Sequence, residues 1–298
     1  IITYVRPDGT FVARRLEAFS KQGAYASHGH SINAKGAGAF GQLYKSEACK
    51  VDAYTVFTNT PVAGAMRGYG IPQAMFAIES HVEDIAKGLG MDSLELRRKN
   101  MMEVGYKDNF SKNENYFDSF NQCIEKGMAY IDYERKRREY ANQTGPIRRG
   151  IGMAIFWYNT AVWPISLESS SCRMVLNQDG SIQLQIGETE IGQGADTAFA
   201  QMAAETLGIP FSDVHVVSTQ DTDITPFGTG AYASRQTYVG GFAIQQTATM
   251  LKDRILSYAH ELTRMPVCNL NIADGKIVRI PDGRELMTLA ELATEALY

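Results

Sequence analysis

Met174-Val175-Leu176-Asn177-Gln178-Asp179-Gly180-Ser181-Ile182-Gln183-Leu184 places two apolar-rich runs on either side of an Asp-Gly turn. Asp-Gly readily supplies the positive φ of a tight hairpin turn, so the stretch reads as two antiparallel strands. Working outward, a helical pattern runs from about Ala195 to Leu207 and is stopped by Gly208 and Pro210. Val214-His215-Val216-Val217-Ser218 reads as a strand, and a longer helix is predicted from about Gly241 to Leu262. A second hairpin turns at Ala273-Asp274-Gly275, and Thr288-Leu289-Ala290-Glu291-Leu292 opens a helix with a capping box. Hairpins grouped with helices, without regular βαβ alternation, predict an α+β fold of hairpin-rich sheets packed with helices in two partial layers.

Upstream, residues 1–60 read as strands, with Arg6-Pro7-Asp8-Gly9-Thr10 as a turn and Tyr54-Thr55-Val56-Phe57-Thr58 as a strand pattern. Pro72 suits the first turn of a helix. From there Met75, Ile78, Val82, Ile85 and Leu89 recur every three or four residues, an apolar stripe that Gly88 and Gly90 end. Asp92-Ser93-Leu94-Glu95 starts a short helix carrying Arg97, Arg98 and Lys99. A third helical pattern spans 119–141, and its run Arg135-Lys136-Arg137-Arg138, interleaved with acids, reads as a solvated face. The turn-rich stretch Asn142-Gln143-Thr144-Gly145-Pro146 marks a boundary, which divides the chain into 1–145 and 146–298.

Composition narrows the function. The 298 residues are 44% hydrophobic and 21% charged, as in globular proteins. A net charge of −4 gives no electrostatic footprint for nucleic acid or an anionic membrane. No apolar run approaches the roughly 20 residues of a membrane span, and the opening Ile1-Ile2-Thr3-Tyr4 lacks the pattern of a signal peptide. Cys49, Cys123, Cys172 and Cys268 are isolated, with no CxxC pair to support a zinc or iron–sulfur site. Reduced thiols and a cytoplasmic location are expected. The chain opens inside a strand pattern and closes soon after a helix start, so both ends read as cut from a longer polypeptide.

Two glycine-rich segments carry the chemical signal. Ala65-Met66-Arg67-Gly68-Tyr69-Gly70-Ile71-Pro72-Gln73 precedes one helix. Between Gly187 and Gly241 lie Glu190-Ile191-Gly192-Gln193-Gly194 and Gly228-Thr229-Gly230-Ala231-Tyr232-Ala233-Ser234-Arg235-Gln236-Thr237. Bare backbone before a helix N-terminus offers free N–H groups and lets an anionic ligand approach closely, so a large, multiply anionic ligand is expected. Neither segment has the spacing of a nucleotide fingerprint. Arg67 can donate a planar fork to ligand oxygens or simply cover a tight turn. Gln193 can bond an anion or cap its helix, and Glu188 and Glu190 can act as bases or as partners of the helix dipole. Asp221 and Asp223 read as turn formers before metal ligands, and His28 and His30, placed on one strand face, lack a third ligand nearby. Trp163 can stack on a planar substrate or fill a core.

Taken together, the segments at 58–73, 188–197, 218–223 and 233–236 resemble the molybdenum-binding subunit of bacterial xanthine dehydrogenases, within the xanthine dehydrogenase/aldehyde oxidase family of molybdenum hydroxylases. The resemblance covers essentially the whole chain, and the motifs keep the family's order. It implies that Arg67 is the catalytic Arg beside the molybdenum and that Ala233 lines the metal's ligand sphere. Tyr69 matches an aromatic against the flat substrate, and Trp163 lies near a second one. Gln193 matches a Gln bonded to the pterin, and Ser234, Arg235, Gln236 and Thr237 fall in the loop holding the cofactor's phosphate end.

The resemblance further implies a molybdopterin cofactor, with its dinucleotide form left open, and 2Fe-2S and FAD on partner subunits or domains. The substrate is then a small heteroaromatic such as hypoxanthine or xanthine, hydroxylated with oxygen from water. Residues 1–145 correspond to the C-terminal part of a first molybdopterin-binding domain and 146–298 to the N-terminal part of a second. The family's upstream Gly-Gln-Gly and Phe-Gly-Gly motifs and its downstream Gly-Glu-Pro segment, whose Glu is the general base, are absent. The expectation is therefore a central fragment, inactive alone, that needs the remainder of the molybdenum subunit. Near Lys35 the animal enzymes carry an Arg that contacts the purine; Lys keeps the charge without the fork. A hydroxylase for nicotinate, an aldehyde or an aromatic thioester, and a non-catalytic chain of the same fold, are the alternatives.

Overall fold

Arg6 to Thr10 closes the first hairpin. The Arg6 N–H donates to the Thr10 carbonyl at 2.9 Å, the Gly9 N–H to the Arg6 carbonyl at 2.8 Å, and Gly9 takes a φ of 87°. The turn joins β1 (Ile2–Val5) to β2 (Phe11–Lys21) as an antiparallel pair. The computed structural model describes residues 1–109, 112–158, 160, 168–217 and 221–297. It divides into two compact units, Ile1–Trp157 and Tyr158–Tyr298.

In the first unit, β3 (Ala48–Val56) pairs with β2 in parallel, from Ala13 opposite Ala48 to Lys21 opposite Val56. Parallel neighbours require a crossover rather than a hairpin. The crossover contains α1 (Gly29–Gly38), a helix within the stretch expected to be all strand. That expectation, including a shared strand face for His28 and His30, is corrected here. Three glycines and no apolar stripe hide α1 from pattern reading. Gly36 has a tertiary reason: a Cβ there would lie 2.8 Å from the Gly70 carbonyl oxygen.

Helix α2 (Ile71–Leu89) begins at the turn around Gly70 with Pro72 in its first turn, and it buries Met75, Ile78, Val82 and Ala86. Gly88 is helical, and the left-handed Gly90 ends the helix. Asp92 caps α3 (Ser93–Asn100) through the Leu94 and Glu95 N–H groups at 2.9 and 3.0 Å. The helix expected over 119–141 is two, α4 (Ser119–Ile131) and α5 (Tyr133–Ala141), broken at Asp132 with φ 54°. Asp tolerates this left-handed conformation better than most residues, and Asp132 also pairs with Arg135.

The second unit is built on the predicted hairpin, β4 (Cys172–Leu176) with β5 (Ile182–Ile186). Helix α6 (Ala195–Leu207) lies in the connection to β6 (Val214–Val216), which pairs with β5 in parallel. Helix α7 (Gly241–Thr263) packs against α6 and β4. Ile182, Leu184, Phe199, Ala203, Leu207, Ile244, Ala248 and Ala259 are fully enclosed in the core. Each large apolar side chain buried there contributes about 1.5–3 kcal/mol. A third sheet, β7 (Leu270–Ala273), β8 (Lys276–Arg279) and β9 (Glu285–Thr288), is antiparallel throughout. It leads into α8 (Leu289–Glu295) through the predicted Thr288/Glu291 capping box. Small mixed sheets packed with helices bear out the α+β class.

Candidate functional site

Strand β5 ends where two backbones touch. A Cβ on Gly187 would lie 2.3 Å from the Gly228 nitrogen, so only glycine permits this approach. Beyond it Glu188 turns into the protein and is 1% exposed. There it meets Arg235, which is 0% exposed and whose Nη1 donates to both Glu188 oxygens, at 2.6 and 2.7 Å. The Arg235 Nε donates to Glu168 Oε2 at 2.7 Å, and its Nη2 to the Ser169 carbonyl at 2.6 Å. Burial alone would lower the Arg235 pKa, but the hydrogen-bonded Glu168 and Glu188 outweigh it and hold the value above the ordinary one.

The residues just before Arg235 are strained. Ala233 has φ 49° and Ser234 φ 51°, two successive non-glycine residues in the left-handed region. Each such residue costs on the order of 1–3 kcal/mol and persists only where its surroundings hold it. Ala233 is buried, Ser234 and Thr237 are exposed, and the chain then makes one π-helical turn, Gln236–Gly240. π turns interrupt regular helix most often near functional sites. Gln236 Nε2 donates to the Thr189 carbonyl at 2.8 Å, as Gln193 Nε2 does at 3.0 Å, and the two Gln amides bond each other. Two loops far apart in sequence, 188–194 and 233–237, are thus tied by amides above and by an ion pair below.

The helix N-terminus beside them is not bare. The Glu190 carboxylate accepts the N–H groups of Gly192, Gln193, Gly194 and Asp196 at 2.6, 2.8, 3.1 and 3.2 Å. Desolvation is the largest single influence and raises the Glu190 pKa, but the four backbone donors together outweigh it and hold it below the usual carboxylate value. The free anion cradle expected at the start of α6 is therefore filled by the chain itself, which makes Glu190 the dipole partner rather than a base. Asp221 likewise closes a turn, accepting the Asp223 N–H at 2.9 Å.

In the first unit, Gly68, Tyr69 and Gly70 are consecutive left-handed residues, with φ of 96°, 48° and 86°. A Cβ on Gly70 would lie 2.5 Å from the Ile32 carbonyl oxygen, so α1 presses directly on this turn. His28, at the start of α1, bonds the Tyr69 hydroxyl through Nδ1 at 2.7 Å, and the two rings meet edge to face at 84°. Arg67 is exposed on the same turn. Trp163 lies outside the described residues.

The structure therefore brings Gln193 and Gln236 together and places Ser234 and Thr237 on the exposed side of their loop. Arg235 turns its fork inward to the carboxylates of Glu168 and Glu188. Glu168 carried no signal in sequence, and the pairing of Glu188 with Arg235 and of His28 with Tyr69 could not be read there, because each acts through a residue distant along the chain. A cavity of about 540 Å³ lies at the other end of α6, lined by residues including Glu205, Phe211 and Asp274.

The exposed donors on these loops are neutral hydroxyls and amides, and Ser234 is strained without burial to hold it. The molybdopterin cofactor-binding domain pattern matches residues 3–101 and, in its second form, 126–298. The chain belongs to that family. It is 45% identical over 295 residues to the xanthine dehydrogenase molybdenum-binding subunit of Escherichia coli O157:H7, covering 99% of this chain and 39% of that protein. Its fold matches quinoline 2-oxidoreductase from Pseudomonas putida 86 with a TM-score of 0.73, at 24% identity over 98% of this chain and 39% of the other. Aldehyde oxidoreductase from Desulfovibrio desulfuricans matches with a TM-score of 0.67, at 27% identity over 97% and 29%. The chain thus spans about 39% of the length of its bacterial relative.

Proposed function

We propose that this chain is part of the molybdenum-binding subunit of a xanthine-dehydrogenase-type hydroxylase that oxidises a purine, hypoxanthine or xanthine, with oxygen from water. The observation that carries the reading is the pair of loops joined by Gln193 and Gln236, with strained, outward-facing Ser234, in a chain 45% identical to such a subunit. Bound here, the cofactor supplies a redox centre that takes up the two electrons of hydroxylation. The protein's part is orientation. Gln193 would face the pterin, Ser234, Gln236 and Thr237 would lie in the loop at its phosphate end, and the Ala233 backbone would line the metal's surroundings. Among the described residues no group of three or more His, Cys, Asp or Glu could hold a metal.

In the same reading Arg67 donates its fork to a ligand oxygen. Tyr69, whose hydroxyl His28 fixes, offers a ring face to a flat heteroaromatic, and Trp163 a second one. Iron–sulfur and FAD subunits or domains take the electrons onward, and the rest of the molybdenum subunit supplies the general base. A cytoplasmic location accords with four free cysteines. Among the described residues no helix is long and apolar enough to cross a membrane. The test is to purify the full-length protein, measure molybdenum and pterin per chain, and follow dye reduction with xanthine, hypoxanthine and aldehydes. Stoichiometric cofactor with purine turnover is expected. Absence of cofactor overturns the reading, and turnover of aldehydes alone moves it to another hydroxylase of the family.

A further inference from the structure

The most heavily bonded charge in the second unit is one that the loop chemistry does not use. Arg235 directly follows the two strained residues, yet its guanidinium faces away from the exposed hydroxyls and into Glu188 and Glu168. It also donates to the Ser169 carbonyl at 2.6 Å and to the Gly230 carbonyl at 3.2 Å, the latter only five residues back. One planar fork thus grips the loop before it, the loop after β5, and the segment entering β4. Gly240 completes the arrangement: a Cβ there would lie 2.9 Å from Glu188 Cγ, so the π turn can close over the carboxylate only with glycine.

We infer that Arg235 is a positioning residue rather than a phosphate ligand: clamped between Glu188 and Glu168, it fixes the left-handed turn at Ala233 and Ser234 and the spacing of the two amide-linked loops, and cofactor retention depends on that clamp. The inference rests on the functional reading above. Its physical content is an asymmetry of charge. Removing Arg235 leaves two carboxylates without their shared cation, one of them fully enclosed, which loosens the loops. Removing Glu188 leaves Arg235 with one carboxylate, Glu168, which is 22% exposed, and with the Ser169 and Gly230 carbonyls. Removing both charged partners relieves the buried conflict. A ligand role predicts the opposite for Glu188, because neutralising it frees the guanidinium for an anion.

The test uses the full-length protein, with cofactor, as wild type, R235Q, E188Q, E168Q and R235Q/E188Q. Molybdenum and pterin per chain are measured after purification and again after prolonged dilution. Melting and circular dichroism are followed in parallel. We expect R235Q to lose about tenfold in retained cofactor, E188Q to lose in the same direction, and the double variant to retain more than R235Q alone, the coupling of residues acting as one unit. E168Q, altered at the more exposed partner and the mildest change, is expected to fold normally and to lose about two- to threefold. It keeps the inference testable if the others fail to fold. Wild-type retention in E188Q and E168Q alongside loss in R235Q would overturn the inference and make Arg235 a direct ligand. Additive losses in the double variant would overturn it as well. A wild-type protein without cofactor would instead overturn the functional reading, a distinct outcome.

Discussion

The two units repeat one topology with different means. Each opens with an antiparallel hairpin, passes through a helix and returns a strand parallel to the second, as β1-β2-α1-β3 and β4-β5-α6-β6. In the second unit the connecting helix is a core element: α6 buries Phe199, Ala203 and Leu207 completely. In the first, α1 buries only Gly29, Gly36 and Ala37, and Gly36 lets it press on Gly70 of the Gly68–Tyr69–Gly70 turn. One helix is held by apolar area, the other by close backbone approach. The units also bury arginines in opposite ways. Arg235 is neutralised by two carboxylates. Arg14, 4% exposed, donates Nη1 to the Phe40 and Tyr44 carbonyls at 2.7 and 3.0 Å, with its guanidinium 4.1 Å from the centre of the Phe40 ring. Burial pulls the Arg14 pKa down to about 10, whereas the carboxylates hold that of Arg235 up. A buried cation can thus be housed by dipoles and ring faces, but it is then held less firmly in its charged form.

The largest expected effect tests the core helix. Phe199→Ala should destabilise by about 3–5 kcal/mol, the usual cost of emptying a closed aromatic site, measured as a shift in urea midpoint with unchanged slope. A loss below about 1 kcal/mol would mean that α6 is no better packed than α1. Next, Arg14→Met should cost roughly 1–3 kcal/mol, because it leaves two buried carbonyls without donors while removing a poorly compensated charge. A much larger loss would place an unrecognised carboxylate beside Arg14.

Two glycines in α1 sharpen the comparison further. Gly36→Ala should destabilise by about 1–3 kcal/mol through collision with the Gly70 carbonyl. Gly38→Ala meets nothing within 4 Å and should stabilise by roughly 0.5–1 kcal/mol through helix propensity. Equal effects of the two in thermal melts would deny that α1 docks on the turn. The smallest effect concerns acid. The folded pKa of Glu190 is depressed, so its stabilising contribution is full above the unfolded value near 4.5 and fades as pH falls through the folded one. Wild type should therefore exceed Glu190→Gln in melting temperature at neutral pH, with the gap closing as pH falls below the unfolded value near 4.5. A gap that persists unchanged in acid would remove the carboxylate's role as a cap.

Much of this was legible because the signals were local. The Asp179-Gly180 turn, Pro72 and Gly90 around α2, Asp92 at α3 and the Thr288/Glu291 box each act within a few residues, and the structure carries each out. The glycine-rich loops could also be located, because glycine and small residues announce unusual backbone wherever they cluster. Their partners could not. Glu188 reaches Arg235 across 47 residues, Gln193 reaches Gln236 across 43, and His28 reaches Tyr69 across 41.

Sequence by itself determined the α+β class, most helix limits in the second unit and the family's motifs, since propensity, caps and turn chemistry are properties of short stretches. Tertiary structure alone decided that 29–38 is a helix that docks on the Gly70 turn, and that Arg235 faces inward. The physical reason is common to both. Side-chain direction and the fate of a buried charge depend on which distant groups reach it first, and that competition is settled only when the chain has packed.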